Sequence, residues 1–336
     1  MQWIKANSLI ALSVIAPGAL ALGSGDRPAM ARGTASVTAY DHIVLIMEEN
    51  EGYPQIIGNP EAATMNALAN AYGLATAYYG VGDPSAPNYV ATLGGNTFGI
   101  ADDNPYYTHV IDKPSLMSQL EKAGLTWKGY YQSMPYPGYR GYTFPGRANG
   151  VPDFDGLYSA KHNGVPYFKS IQTSASERAK MVPLETLVAD LASPPNFMYV
   201  IPDQCHDMHG APPWCLDSSN FGDAEDNQLV SVADQFVKTW VDMIMDAPFW
   251  SKGNNAIVIT FDEGDDTAGC CDANPGTGQV ATIVITSHGP RGLKDPTPYN
   301  HYSLLQTMQK AFGLGCLEFT CDTTNVTPMA PLFKAQ

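Results

Sequence analysis

The stretch HIVLIMEEN, residues 42–50, decides the fold. Its first six residues form a continuous, mostly apolar run, which is typical of a strand buried on both faces of a parallel sheet. The polar residues Glu48, Glu49 and Asn50 follow directly. Because ligands bind beyond the carboxyl ends of the strands in open α/β sheets, the stretch predicts a central strand with a site at its end.

Outward from this stretch, apolar runs alternate with segments of helical periodicity, which predicts an α/β domain with a mostly parallel sheet covered on both faces. A Tyr-, Pro- and Gly-rich stretch at 132–182 has no clear period, and we expect a lid or substrate-facing insertion there. We expect one catalytic domain over 41–336. The predicted strands are 42–47, 74–79, 125–131, 197–201, 256–261 and 280–286, and the predicted helices are 62–72, 115–123, 184–191, 229–244 and 302–312.

The composition excludes several classes of protein. With 44% hydrophobic and 15% charged residues, the chain has enough apolar sequence for a large core and is not predominantly disordered. Lys and Arg number 18 against 33 Asp and Glu, a net charge of -15. Such a surface repels phosphate backbones and anionic headgroups, so we expect neither nucleic-acid binding nor a polybasic membrane anchor. An anionic ligand would need local positive charge, most simply from a bound metal.

The first residues predict export. Lys5 precedes an apolar run that ends near Ala21, too short to span a bilayer, so we expect a cleaved signal peptide over 1–21 and a loose leader over 22–40. No later stretch is apolar enough for a stable anchor, which indicates a secreted or periplasmic protein. In an exported chain six cysteines predict disulfides. The pair Cys205/Cys215 and the pair Cys316/Cys321 bracket short loops, and the state of the adjacent Cys270 and Cys271 is open.

Acidic and imidazole groups follow three of the predicted strands. Besides Glu48–Asn50, the segment 203–209 (DQCHDMH) follows one strand, and Asp262-Glu263 follows another, with Asp265 and Asp266 close behind. Carboxylates gathered at one edge repel each other unless a cation joins them. Oxygen ligands suit a hard or borderline divalent ion, and histidine would shift the preference toward zinc-like metals. For any one pair alone, a solvated turn is the alternative.

A hydroxyl follows the strand 74–79, in the segment 83–89 (DPSAPNY). We expect Ser85 to be the N-cap of a helix that continues through 90–93, where free N–H groups and the helix dipole favour a phosphate or a serine alkoxide. An ordinary serine cap is the alternative. The chain lacks the motifs G-x-S-x-G, H-E-x-x-H and G-x-x-x-x-G-K-[ST], which argues against other common hydrolases and nucleotide-binding loops.

Six stretches together resemble the phosphoesterase family of secreted bacterial acid phosphatases and phospholipases C, within the alkaline phosphatase superfamily. They occur in the family's order between about residues 41 and 313: HIVLIMEEN (42–50), PSAPNY (84–89) with GNTFG (95–99), AKHN (160–163), PDQCHDMHG (202–210), TFDEGDD (260–266) and NHYSLLQTM (300–308). The resemblance implies an alkaline-phosphatase-like three-layer sandwich with a mostly parallel central sheet. It also implies one divalent metal ion of unspecified identity, with the ligands Glu49, Asn50, Ser85, Asp262 and Glu263.

The resemblance further implies that Ser85 is the nucleophile and Asn88 holds a phosphate oxygen. His162 and His209 would line the phosphate pocket, with Asp207 orienting His209, and His301 corresponds to a late metal-ligand position of related two-metal enzymes. Each histidine could instead be structural, as we expect for His42, His109 and His288, and Glu48 and Asp265 would support the site or be solvated. The full expected catalytic set is Ser85, Asn88, His162, Asp207, His209 and His301.

Two positions depart from the family pattern. Asp83 stands where family members often carry His, and the family's E-N-R-S becomes Glu49-Asn50-Glu51-Gly52, so an acid replaces an Arg. The rim of the site is therefore more negative than usual.

We expect a secreted, metal-dependent phosphomonoesterase of the acid phosphatase class, acting on a small phosphorylated substrate through a phosphoserine. One alternative is a phospholipase C-type phosphodiesterase, whose phospholipid the Tyr-rich stretch could receive. The other alternative is a catalytically silent secreted binding protein, which the intact Ser85 and the four further metal-ligand candidates disfavour. The sequence does not indicate an oligomeric state.

Overall fold

A nine-stranded sheet forms the centre of the computed structural model, which describes residues 36–146, 156–217, 224–271 and 276–334. A two-stranded sheet, β4 with β5, lies apart from it. In chain order the strands are β1 His42–Glu48, β2 Gly73–Tyr79, β3 Trp127–Tyr131, β4 Thr143–Phe144, β5 Tyr158–Ser159, β6 Met181–Pro183, β7 Phe197–Ile201, β8 Asn255–Phe261, β9 Gln279–Thr286, β10 Leu293–Asp295 and β11 Tyr299–Asn300.

The sheet order is β10-β2-β9-β8-β1-β7-β3-β6, with β11 paired to β2. Central β1 pairs in parallel with both β7 and β8, and Ile43–Met47 are fully buried, as the apolar run predicted. Only β9 runs antiparallel to its neighbours in this sheet. The part of the β8–β9 connection that the structure describes contains no helix, and a chain that returns without a crossover pairs antiparallel. The predicted α/β class with a mostly parallel sheet is confirmed.

The helices lie between the strands, and α2 packs against α8 while α3 packs against α9. In chain order the α-helices are α1 Tyr53–Ile56, α2 Ala63–Ala71, α3 Ser85–Gly94, α4 Leu116–Lys122, α5 Lys169–Gln172, α6 Ala175–Arg178, α7 Thr186–Asp190, α8 Ala224–Asp246 and α9 His301–Ala311. Short 3-10 helices span Pro60–Ala62, Tyr106–Thr108, Ala160–His162, Val165–Tyr167 and Glu318–Cys321.

The stretch 132–182 contains more regular structure than its composition indicates. Its described part includes β4, β5 and the short helices α5 and α6, and β6 begins near its end. Residues 147–155 lie outside the described residues, and a role as a lid stays a prediction.

The predicted signal peptide over 1–21 and most of the leader also lie outside the described residues. Within the described part, no helix is both long enough and apolar enough to cross a bilayer. The structure pairs Cys205 with Cys215, Cys316 with Cys321, and the adjacent Cys270 with Cys271.

Candidate active site

Four parallel strands end at one edge of the sheet and supply most of the predicted site residues. Glu49 and Asn50 follow β1, Asp207 follows β7, and Asp262 follows β8. Ser85 begins α3, the helix that follows β2. A hydrogen bond joins two of these loops: the backbone N–H of Asn50 donates to Asp262 Oδ1 at 3.1 Å.

Ser85 is the first residue of α3 and is only 2% exposed. The prediction that it caps the helix is wrong, because the N-cap is Pro84 and no side chain caps this end. The Ser85 hydroxyl donates instead to Glu49 Oε2 at 2.9 Å. The Ser85 hydroxyl is therefore hydrogen-bonded to a buried carboxylate and does not cap the helix.

The carboxylate of Glu49 is the hub of the site. Its Oε2 lies 3.2 Å from His162 Nε2, in addition to the serine hydroxyl. The side-chain amide of Asn50 lies 3.3 Å from both Glu49 Oε2 and Glu263 Oε1. In one orientation of the amide its nitrogen donates to both carboxylates; in the other its oxygen faces them, as it would around a shared cation. Asn50 has φ 46°, a left-handed conformation that Asn tolerates better than most residues and that turns the chain into the site.

Asn88 supports the pocket wall in this structure. Its Oδ1 accepts the backbone N–H groups of Val81 and Gly82, both at 2.9 Å. Its Nδ2 donates to Gly82 O at 2.6 Å and to Glu263 Oε2 at 3.0 Å. The amide thus holds the loop before Ser85 against Glu263, and its expected contact with phosphate stays a prediction.

Asp207 orients His162, a contact that the sequence did not indicate. Its Oδ2 lies 2.9 Å from His162 Nδ1, and its Oδ1 accepts the backbone N–H of His209. His162 also stacks on Tyr89, with ring centroids 5.6 Å apart. Asp207 therefore aims Nε2 of His162 at Glu49 and also accepts from the backbone of His209, whose expected orientation by Asp207 stays a prediction.

Sequence reasoning missed Lys161, which is 5% exposed and donates to His209 Nε2 at 2.9 Å. Its Nζ also lies 3.4 Å from Asp103 Oδ2, while Asp103 Oδ1 accepts the N–H of Ala86 in the first turn of α3. The lysine next to His162 in AKHN was the available signal. A buried ammonium is rarely tolerated without a partner, and here Asp103 supplies the opposite charge.

His301 holds the backbone behind the pocket. Its Nε2 donates to the carbonyl oxygen of Asp262 at 2.6 Å, and its Nδ1 accepts from the Tyr78 hydroxyl at 3.0 Å. Both ring nitrogens are hydrogen-bonded in this structure, and the expected catalytic role of His301 stays a prediction.

Burial raises the pKa of the carboxyl groups of Glu49, Asp262 and Glu263, and repulsion by Asp262 adds to the rise for Glu49 and Glu263. Burial, then Asp262, raises the pKa of Glu49 well above its usual range. Burial raises the pKa of Asp262 to about 6, and burial with the nearby Asp262 raises the pKa of Glu263 to about 10. Burial, then Lys161, lowers the pKa of His209 to about 3. The pocket therefore has an excess of acidic groups that a cation would relieve.

The donor set fits a divalent metal ion. Among the described residues, Glu49 Oε1 and Asp262 Oδ2 are buried and have no hydrogen-bond partner. The side-chain oxygens Glu49 Oε2 and Glu263 Oε1 also lie 3.3 Å from the Asn50 amide, close enough for all three side chains to bind one ion. In addition, Glu49, His162 and His209 place one ligand atom each within 4.8 Å of one another, a combination that would favour a zinc-like ion.

The remaining acidic and imidazole groups were expected to be supporting or structural. Glu48 is fully buried with both oxygens unpartnered among the described residues, so it is not solvated, whereas Asp265 is exposed. His42 Nδ1 lies 3.0 Å from Pro195 O, and His109 pairs with Asp102 at 2.6 Å.

Comparison with known proteins relates this geometry to phosphatases. A phosphatidylinositol-3-phosphatase from Mycobacterium tuberculosis is 26% identical over 328 residues, which cover 97% of this chain and 94% of that protein. A phosphate-repressible acid phosphatase from Penicillium chrysogenum is 28% identical over 287 residues, or 83% of this chain and 60% of that longer protein. A solved alkaline phosphatase superfamily protein from Vibrio parahaemolyticus has a TM-score of 0.51 at 12% identity, covering 84% of this chain and 68% of that one, which shows the fold.

The sequence model of the Phosphoesterase family matches residues 59–315. The match spans most of the chain and includes Ser85, His162, Asp207 and Asp262, while β1 with Glu49 precedes it. The predicted class of enzyme, a phosphoric ester hydrolase, is confirmed by these relatives. The chain belongs to the Phosphoesterase family.

Proposed function

We propose that the protein is a secreted, metal-dependent phosphomonoesterase that acts through a phosphoserine on Ser85. The observation that carries the proposal is the 2.9 Å hydrogen bond from the Ser85 hydroxyl to Glu49 Oε2 in a buried pocket. A serine is a weak nucleophile unless a base or a nearby cation helps to remove its proton. Here the hydroxyl has a carboxylate as its acceptor.

A divalent ion would be held by Glu49, Asp262 and Glu263, with Asn50 and Ser85 completing the oxygen set. When bound, such an ion offsets the carboxylate charge, favours ionisation of the serine and withdraws charge from the phosphoryl oxygens. The unpartnered oxygens of Glu49 and Asp262 support this ligand set.

Residues of the chain accept the serine proton and form the bond to phosphorus. Glu49 accepts the serine proton, Ser85 Oγ forms a bond to phosphorus, and the bond from phosphorus to the alcohol oxygen breaks as that oxygen takes a proton from solvent. Water then adds its hydroxyl to phosphorus and releases a proton to solvent, the Oγ–phosphorus bond breaks, and Oγ regains the proton held by Glu49. Lys161 brings a positive charge to the phosphoryl oxygens, because an ammonium stabilises charge that develops in the transition state.

His162 and His209 are neutral imidazole rings that hydrogen bonds hold in fixed orientations. His209 Nδ1 faces Gly210 O at 2.9 Å and its Nε2 accepts from Lys161, so the geometry indicates the Nδ1–H tautomer. His162 Nδ1 faces Asp207, which leaves Nε2 directed at Glu49. In this arrangement the lone pair of His162 Nε2 would be available to a metal ion, whereas both ring nitrogens of His209 are bonded within the protein.

The enclosure of the nucleophile favours a monoester. Ser85 and His162 are 2% and 1% exposed, which leaves little room for a second ester substituent beside the phosphate. The relative from Mycobacterium tuberculosis is named a phosphatidylinositol-3-phosphatase. A phosphorylated lipid headgroup is therefore within the proposed class of substrates.

Export is part of the proposal. It is supported by the predicted signal peptide and by the disulfides Cys205–Cys215 and Cys316–Cys321, which persist mainly in oxidising compartments.

The test compares p-nitrophenyl phosphate with bis-p-nitrophenyl phosphate from pH 4 to 9, with and without EDTA. We expect turnover of the monoester, loss of that turnover in EDTA and its recovery with added divalent ions. Preferential turnover of the diester would replace the proposal with the phosphodiesterase. Absence of turnover with every divalent ion tried would overturn it.

A further inference from the structure

Asp103 joins two parts of the catalytic pocket that are far apart in the chain. Its Oδ1 accepts the backbone N–H of Ala86 at 2.9 Å, in the first turn of α3, and Ala86 directly follows Ser85. Its Oδ2 lies 3.4 Å from Lys161 Nζ. A single carboxylate therefore contacts both the helix that carries the nucleophile and the buried ammonium.

The backbone around Asp103 is held by a further contact. The Tyr142 hydroxyl donates to the carbonyl oxygen of Asp103, and the carbonyl oxygen of Tyr142 accepts the N–H of Ala160 at 2.7 Å. Ala160 immediately precedes Lys161 in the chain. The segment that carries the aspartate and the segment that carries the lysine are thus tied to the same tyrosine, which keeps the two side chains within reach of each other.

Lys161 has two partners of different kinds. Its Nζ donates to His209 Nε2 at 2.9 Å, but an imidazole supplies no negative charge. Among the residues that the structure describes, Asp103 is the one acid paired with this ammonium. Because burial of an ammonium is costly without an opposite charge, the pair with Asp103 favours one position of Nζ in the pocket.

The two contacts of Asp103 need a carboxylate. A carboxylate has an acceptor oxygen for the Ala86 N–H and a second one for Lys161, and it has no hydrogen to donate. An amide of nearly the same shape has one acceptor oxygen and a donor NH₂ group. Asp103→Asn can therefore keep one of the two contacts but not both, and it removes the charge that attracts the ammonium.

We propose that Asp103 is a positioning residue for phosphoryl transfer, which holds the Lys161 ammonium in place relative to Ser85. The inference rests on the proposed function, because Asp103 affects the reaction through Lys161. An ammonium stabilises the charge of a transition state only from hydrogen-bond distance of the oxygen on which that charge develops. A displacement of about 1 Å in a positioned group can lower turnover by about 100-fold.

The competing account is that Asp103 only stabilises the first turn of α3. An acid near a helix N-terminus is favourable whether or not an enzyme uses it. The two accounts differ in their dependence on Lys161. A structural role predicts that Asp103→Asn lowers activity equally with and without the lysine, whereas a positioning role predicts that the effect disappears once the lysine is absent.

The experiment is a double-mutant cycle on the full chain, with divalent ions supplied and p-nitrophenyl phosphate as the substrate. We expect Asp103→Asn alone to lower kcat by about 10- to 100-fold with little change in KM. In a chain that already carries Lys161→Met, we expect it to change kcat by less than about twofold. The matched control is Asp102→Asn, which removes the neighbouring acid that pairs with His109 at 2.6 Å and should retain the parental kcat.

Equal effects of Asp103→Asn in the two backgrounds, or parental turnover in Asp103→Asn alone, would overturn the inference and leave the proposed function standing. An unmodified chain without turnover would overturn the proposed function.

A second measurement reports on Lys161 without turnover. The side-chain NH₃⁺ signal of Lys161 is recorded by NMR in the ¹⁵N-labelled chain and identified by its loss in Lys161→Met. We expect this signal to shift or broaden in Asp103→Asn and to stay unchanged in Asp102→Asn, with thermal unfolding showing that each variant is folded. An unchanged signal in Asp103→Asn would overturn the inference, and if the unmodified chain has no turnover, this signal decides by itself whether Asp103 positions Lys161.

Discussion

Glu49 and Glu51 are two residues apart, both fully buried, and their surroundings are opposite. Glu49 Oε2 accepts the Ser85 hydroxyl and faces His162, and the nearby Lys161 partly offsets its raised pKa. Glu51 faces another acid and, among the described residues, no donor. Burial alone therefore does not identify a catalytic carboxylate. A nucleophile and a positive group within reach distinguish the first site from the second.

The largest expected effect comes from removing the nucleophile of the first region. Ser85→Ala should lower kcat by about four orders of magnitude or more, because loss of a nucleophile removes the covalent route entirely. Monoester hydrolysis and thermal unfolding would be measured in parallel, with Ser176→Ala, an exposed serine far from the site in sequence, as the control. Retained turnover in Ser85→Ala would place the nucleophile elsewhere.

Removal of the positive group should have the next largest effect. Lys161→Met should lower kcat by about 100- to 1000-fold, the usual result of deleting one donor that stabilises transition-state charge. Lys161→Arg should recover part of this loss, whereas Lys169→Met, an exposed lysine paired with Asp112, should behave like the parent. A change in KM alone would mean that Lys161 only binds substrate.

Substitution of Asp207 tests whether the orientation of the His162 ring affects turnover. Asp207→Asn should lower kcat by about 10- to 100-fold, since partners that orient a ligand or catalytic histidine have effects of this size. Nitrogen NMR shifts of the His162 ring should change with the tautomer in the folded variant. Altered activity with an unchanged ring spectrum would contradict the orienting role.

The smallest expected effect compares the two glutamates in stability. In EDTA, Glu51→Gln should raise the free energy of unfolding by about 1 kcal/mol, because an amide replaces a buried carboxyl and can donate to Asp226. Urea unfolding in EDTA would measure it, with Glu61→Gln as the neutral control. A clear loss of stability in Glu51→Gln would mean that the carboxyl has a favourable partner that an amide cannot replace.

Much of the fold followed from the sequence because the buried strands have a strong pattern. The apolar runs at 42–47, 197–201 and 256–261 correspond to β1, β7 and β8 within a residue or so. The N-cap assignment of Ser85 is wrong because the helix begins at Ser85 itself, and its hydroxyl donates to Glu49 in the loop after β1. The antiparallel direction of β9 was not predicted because a strand's own pattern does not encode the path of the loop before it.

By itself the sequence determined which strands are buried, that their carboxyl ends carry acids and a serine, and which family motifs are present. These are local properties, set by hydrophobic periodicity and by residues adjacent in the chain. Only the tertiary structure decided the partners: Asp207 with His162, and Lys161 with His209 and Asp103. The physical reason is that hydrogen bonds and charge contacts depend on side-chain positions within a few ångströms, and loops from different strands reach those positions only when the sheet has assembled.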